Sequence, residues 1–163
     1  MGRAQTSTLP AWRRVTLAFG AMVVVFGTVA ILLDTGTEGH VHATERTTLE
    51  IRTRATAVLE PGGELRWHVG PGGVAEVTQA RGDALYRVPE GPPVHLRAGK
   101  LSLEVYDAVF RIRYVDGEVE AHALLGHLRA RSGDERARVP PGFVVRTRDD
   151  GLGPMREVGL DGR

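Results

Sequence analysis

The chain has 163 residues, enough for one domain with little left for a second. Its 21 basic and 20 acidic side chains leave a formal charge of +1, without the general cationic surplus of a nucleic-acid binder. It has no cysteine, which excludes disulfides, thiolate zinc sites, iron–sulfur ligation and a cysteine nucleophile.

The averages conceal a partition. Residues 1–14 hold Arg3, Arg13 and Arg14 without an acid, and residues 15–33 hold no charge at all. Residues 34–163 hold the remaining 18 basic groups against all 20 acids. A short basic head, an apolar stretch and a near-neutral body is a membrane-targeting layout. At a helical rise of about 1.5 Å per residue, the stretch from Val15 to Leu33 spans a hydrocarbon core of about 30 Å. Arg13 and Arg14 precede it and Trp12 suits the interface, whereas Arg46 is the one basic group in the fifteen residues that follow. That asymmetry keeps residues 1–14 in the cytoplasm and exports the body. The sequence therefore predicts a single-pass inner-membrane protein: a transmembrane helix over 15–33 and a periplasmic body. The competing reading is a cleaved signal peptide. Its apolar region would run about 7–15 residues, and the small-residue site at Val41-His42-Ala43 lies well past Leu33. Thr16, Gly20 and Gly27 share one helical face, where a second helix could approach.

Residues 34–46 are small and polar without periodicity and are expected to form a flexible stalk. Period-two alternation then takes over. Leu49, Ile51, Thr53, Ala55, Ala57 and Leu59 share one parity, opposite Glu50, Arg52, Arg54 and Glu60. After a turn at Pro61-Gly62-Gly63, Leu65, Trp67 and Val69 alternate with Glu64, Arg66 and His68. Beyond Pro71-Gly72-Gly73, Ala84, Tyr86 and Val88 alternate with Asp83, Leu85 and Arg87. Pro89 through Pro93 cannot pair as a central strand. Val94, Leu96 and Ala98 follow, then a turn at Gly99-Lys100.

The inward parity changes twice further on. Leu101, Leu103 and Val105 are odd, while Phe110, Ile112 and Tyr114 are even, which places a bulge or tight corner over 106–109. Val119, Ala121, Ala123 and Leu125 are odd, while Leu128 and Ala130 are even, with a corner at Gly126-His127. Asp116-Gly117 is a two-residue hairpin signal. The predicted fold is all-β: about ten short strands over 47–148, arranged as a sandwich or a short solenoid-like stack and preceded by one transmembrane α-helix. Residues 149–163 are expected to form a loose tail.

The sequence offers no catalytic constellation. Ser7, Ser102 and Ser132 lie in no G-x-S-x-G elbow, and no glycine loop precedes a helix in the body. Asp149-Asp150 falls in the expected tail. His40 and His42 would point to one side of an extended chain, but a third and fourth metal ligand are not evident. His122 and Glu120 share an outward parity that suits a solvated strand. The chain is expected not to be an enzyme and to use no cofactor or metal. No catalytic, cofactor-binding or metal residue is assigned.

Five segments in order carry a resemblance. Gly82-Asp83-Ala84-Leu85-Tyr86-Arg87-Val88, Pro93-Val94-His95-Leu96, Asp107-Ala108-Val109-Phe110-Arg111-Ile112, Leu124-Leu125-Gly126-His127-Leu128 and Val139-Pro140-Pro141-Gly142 resemble, in sequence and spacing, the extracytoplasmic domain of the FecR family of bacterial envelope sensors. The likeness runs from about Thr47 to Asp150. Asp107-Ala108 stands where the family has Gly-Thr. The resemblance implies an envelope-facing β module that binds another protein and reports on it. Full-length members carry a cytoplasmic anti-sigma domain before the helix. With 14 residues ahead of the apolar stretch, that domain is expected to be missing here.

The expected function is thus a membrane-anchored, FecR-like β-domain protein of cell-surface signalling. It would act by protein–protein interaction on sigma-factor-type regulation, with a protein partner in the envelope and no nucleic acid. The alternative is a self-associating structural scaffold of the envelope, since short-stranded sheets with exposed edges can add strands. A carbohydrate-binding module would need exposed aromatics, and outward Tyr106 with inward Trp67 makes no platform.

Overall fold

A computed structural model describes residues 30–32, 37–148 and 151–158. Its organising element is one long strand that serves two sheets. The described strands are β1 (Ala30–Leu32), β2 (Glu38–His42), β3 (Thr47–Ile51), β4 (Ala55–Leu59), β5 (Glu64–Val69), β6 (Ala75–Val88), β7 (Val94–Ala98) and β8 (Leu101–Val105). They continue with β9 (Ala108–Val115), β10 (Glu118–Gly126), β11 (Leu128–Ser132), β12 (Glu135–Val139), β13 (Phe143–Arg148), β14 (Gly151–Leu152) and β15 (Arg156–Glu157). The first half of β6 pairs β5 and, in parallel, β7; its second half pairs β4 and β9. One sheet therefore runs β2-β5-β6-β7-β8-β11-β12 and the other β1-β3-β4-β6-β9-β10-β13, with β14 and β15 beyond β13.

After β6 the chain lays down hairpins alternately: β7–β8 on the first sheet, β9–β10 on the second, β11–β12 on the first, then β13 on the second. The buried faces of both sheets share one apolar cluster, with Leu49, Leu65, Leu96, Leu103, Phe110, Ile112 and Leu128 almost fully enclosed. The body is all-β, as expected. Tyr86 and Phe110 stack in it at 5.1 Å between ring centroids. Truncating Phe110 to alanine would cost about 3–5 kcal/mol, because the packed neighbours cannot close the void.

The bend in β6 explains a parity change that the sequence conceals. Ala75, Val77 and Gln79 are buried in its first half, and Ala84, Tyr86 and Val88 in its second. The register against β5 shifts between Glu64 and Leu65, which absorbs the extra residue as a bulge. Gly82 sits at the bend with φ +89°, and a β-carbon there would fall 2.5 Å from the Gly63 backbone. Gln79 holds the inside of the bend. Its amide donates to the Gly82 carbonyl (2.9 Å) and the Ile112 carbonyl (3.3 Å), and it accepts from the Tyr86 hydroxyl (2.9 Å).

Several expectations are corrected. The alternation across 49–59 is two strands, not one. Ile51 pairs Ala55 across a tight turn in which Arg52 takes φ 49°. Two antiparallel strands joined by three residues conserve parity, so the pattern alone cannot reveal the turn. Residues 34–46 are not a free stalk where they are described. Residues 38–42 form β2 against β5, with Val41 and Ala43 buried. The tail is likewise partly bound: β14 and β15 pair β13, and Gly151 is buried. Leu125 is 64% exposed, because β10 bulges between Ala123 and Leu125 and turns its last residues outward.

The corner between β8 and β9 consists of exposed Tyr106 and Asp107, where the chain leaves one sheet for the other. The Asp116-Gly117 hairpin joins β9 to β10, with both residues at positive φ. Ala30–Leu32, at the end of the expected membrane span, pairs in parallel with β3. The rest of that span lies outside the described residues, as do Thr16, Gly20, Gly27, Ser7 and Asp149-Asp150. Among the described residues no helix is long and apolar enough to cross a membrane.

Candidate interaction surface

The outer face of the first sheet carries its side chains in two straight rows, because the strand register, antiparallel except between β6 and β7, places outward residues of successive strands opposite one another. One row reads Glu38, His68, Glu76, His95, Glu104, Arg129, Arg138. The other reads His40, Arg66, Thr78, Arg97, Ser102, Arg131, Arg136. The first row alternates acid and base until its last two members. The second contains no acid.

At the β2–β5 end the charges are matched. His40 Nε2 lies 3.0 Å from Glu64, while Arg81 and Arg66 lie 3.5 and 3.9 Å away. The His40 hydrogen bond, helped by these neighbouring cations, holds the Glu64 carboxyl below its ordinary value. His68 faces Glu38 at 3.9 Å. His40 and His42, the candidate metal pair, sit on the same side of β2 in cross-strand contacts, His42 3.4 Å from Arg81. Among the described residues no three His, Asp or Glu side chains are grouped as a metal would need.

At the β11–β12 end the charges are not matched. Arg129 stands directly opposite Arg138, and Arg131 opposite Arg136. Arg97 is two strands from Arg131 on the same row. All five are exposed. Glu104 is the acid at this end. Its carboxylate accepts from the Tyr106 hydroxyl and from Arg129 (3.4 Å), and the Tyr106 bond, followed by Arg129, keeps it below the ordinary carboxylate value. Arg129 also lies 5.2 Å above the Tyr106 ring. Arg131 donates to the Gly133 carbonyl of its own turn (3.0 Å). An open groove of about 890 Å³ runs over these side chains between β6 and β12.

The second sheet is arranged otherwise. Arg111 makes a two-pronged bond to Asp83 (2.7 and 2.6 Å), and Arg146 bonds Glu120 at 2.5 Å. A recess of about 730 Å³ lies where residues 153–158 cross Val144 and Arg146, and there Arg146 is paired with Glu120. His122 is half-buried beside Glu120 on this face. Ser132 is buried and Ser102 exposed, 30 positions apart and without an acid–base partner between them.

None of the five arginines was singled out by sequence reasoning. The signal that carries four of them is Arg129-x-Arg131 and Arg136-x-Arg138 on either side of Gly133-Asp134. That is a hairpin whose two strands each present arginine at alternate positions.

The fold has known counterparts. Two crystal structures of a candidate anti-sigma factor from Parabacteroides distasonis ATCC 8503 superpose with TM-scores of 0.64, at 15% identity, over 74% and 75% of this chain. The match spans about three fifths of the length of that protein, 59% and 60%. No protein-family model matches the chain, and no curated protein does. The chain thus shares the fold of the matched part of those structures.

Proposed function

We propose that this protein is a membrane-tethered, extracytoplasmic FecR-like module that relays an envelope signal by binding other proteins, in the manner of an anti-sigma regulator and without catalysis. The observation that carries this reading is the fold shared with the Parabacteroides protein over three quarters of the chain. The charge-free stretch over 15–33, flanked by Arg13 and Arg14, supports the tether and its orientation. The rows of outward charge support protein binding.

The second reading is an envelope scaffold. It is favoured by β12, which pairs β11 on one side and has no sheet partner on the other among the described strands. Such an edge can accept a strand from another copy.

The test is site-specific photo-crosslinking from Tyr106 in the native membrane, paired with protease treatment of intact spheroplasts. Digestion of the body together with capture of a sigma regulator or an outer-membrane transporter supports signalling. Capture of self or cell-wall proteins alone favours the scaffold, and a protected body refutes the tethered topology.

A further inference from the structure

We infer that the arginine face of β11 and β12 binds an extended acidic segment of a partner protein, with acidic side chains at alternate positions. The argument begins from a local conflict. Like charges directly opposite on adjacent strands destabilise a sheet, yet Arg129 faces Arg138 and Arg131 faces Arg136. The same chain solves this problem elsewhere by pairing Arg111 with Asp83 and Arg146 with Glu120. Among the described residues, Glu104 and, at the far side of the groove, Glu76 are the acids set against five guanidinium groups, and the Glu104 carboxylate is already shared between Tyr106 and Arg129. A surface left in this state is completed by an anion from outside.

The spacing selects the kind of anion. Arginines two positions apart on one strand project about 7 Å apart, and those on neighbouring strands about 5 Å. An extended peptide repeats its same-face side chains at the same interval of about 7 Å. A strand laid along β11–β12 with acids at alternate positions would meet each guanidinium with a carboxylate in planar two-pronged geometry. A lipid surface is the less suitable occupant. This face offers no exposed Leu, Ile, Phe or Trp to enter a bilayer, its one flanking aromatic being Tyr106 beneath Arg129.

The inference deepens the proposed function by giving the partner's chemistry, and rests on it only for the premise that the body binds protein. Its test does not depend on membrane orientation, so the two can fail separately. The full chain in neutral detergent is titrated with a fluorescent ten-residue peptide alternating Glu and Thr, and with an isomer whose glutamates form one block. The alternating peptide should bind at least tenfold more tightly. Added salt should weaken it, since the pairs are exposed. Arg131→Gln/Arg136→Gln should weaken binding at least tenfold while the melting temperature holds or rises, because a repulsion is removed. Arg113→Gln, on the second sheet, should leave binding unchanged. Equal affinity for the two peptides, or undiminished affinity of the double variant, overturns the proposal. So does displacement of the alternating peptide by dihexanoyl phosphatidylglycerol but not by the phosphatidylcholine analogue, which would assign the face to lipid headgroups.

Discussion

The Tyr86 hydroxyl donates to Gln79 Oε1 across 2.9 Å, and both side chains are about 1% exposed. The bond crosses the bend of β6 and joins its two halves inside the core. Tyr86→Phe leaves the Gln79 oxygen buried without a donor and should cost about 1–3 kcal/mol in urea unfolding. An unchanged midpoint and slope would refute the role given to this pair. Burial pushes the Tyr86 phenol far above its ordinary value. Alkaline titration should therefore show no phenolate from Tyr86 until the protein unfolds.

The bend itself is tested with glycine. Gly82 and Gly117 both hold positive φ, but an added β-carbon meets the Gly63 backbone at 2.5 Å at the first and nothing within 4 Å at the second. Gly117→Ala should cost the conformational strain alone, about 1–2 kcal/mol, while Gly82→Ala should cost about 3 kcal/mol or more. Equal losses would mean that β5 and β6 can separate freely at the bulge.

The inclusion of residues 38–42 in the sheet predicts a specific sensitivity. Gly39 lies over the Trp67 ring, and a β-carbon there would overlap it at 2.1 Å. Gly39→Val should dislodge β2 and wet Trp67, which is 5% exposed in the native fold. In a Trp12→Phe background the emission of Trp67 should then shift to the red, with the rest of the core intact by circular dichroism. If residues 38–42 were a free stalk, the spectrum would not move.

The Glu64 cluster predicts a pH dependence of definite sign. A carboxyl whose folded pKa lies below its ordinary value of 4.5 contributes stability above that value, and the contribution is lost as pH falls through the folded pKa. The β2–β5 edge should therefore loosen in acid, below about pH 4.5, as the Glu64 carboxylate takes up a proton. The His40 hydrogen bond is the leading cause, so His40→Ala should move the Glu64 titration, followed by carboxyl NMR, upward toward 4.5. A titration that stayed in place would shift the cause to Arg66 and Arg81.

The alternation of apolar residues determined the fold class and most inward positions from Leu65 to Ala130. In a two-sheet protein each strand must bury one face, and the side-chain period of two writes that demand into the order of residues. The Asp116-Gly117 hairpin was legible for a similar reason: its positive-φ residues are a local requirement. What the sequence left open was everything set by pairing at a distance. The Ile51–Ala55 turn keeps parity and is silent. The docking of β2 depends on the groove beside Trp67, and the outward turn of Leu125 on a bulge that only the β9 partner defines. The arginine face belongs to this second group. Arg97, Arg129, Arg131, Arg136 and Arg138 are unremarkable along a chain of net charge +1, and become a surface only when register sets β7, β8, β11 and β12 side by side. Charge is a property of residues, but repulsion depends on distance, and distance is fixed by the tertiary fold.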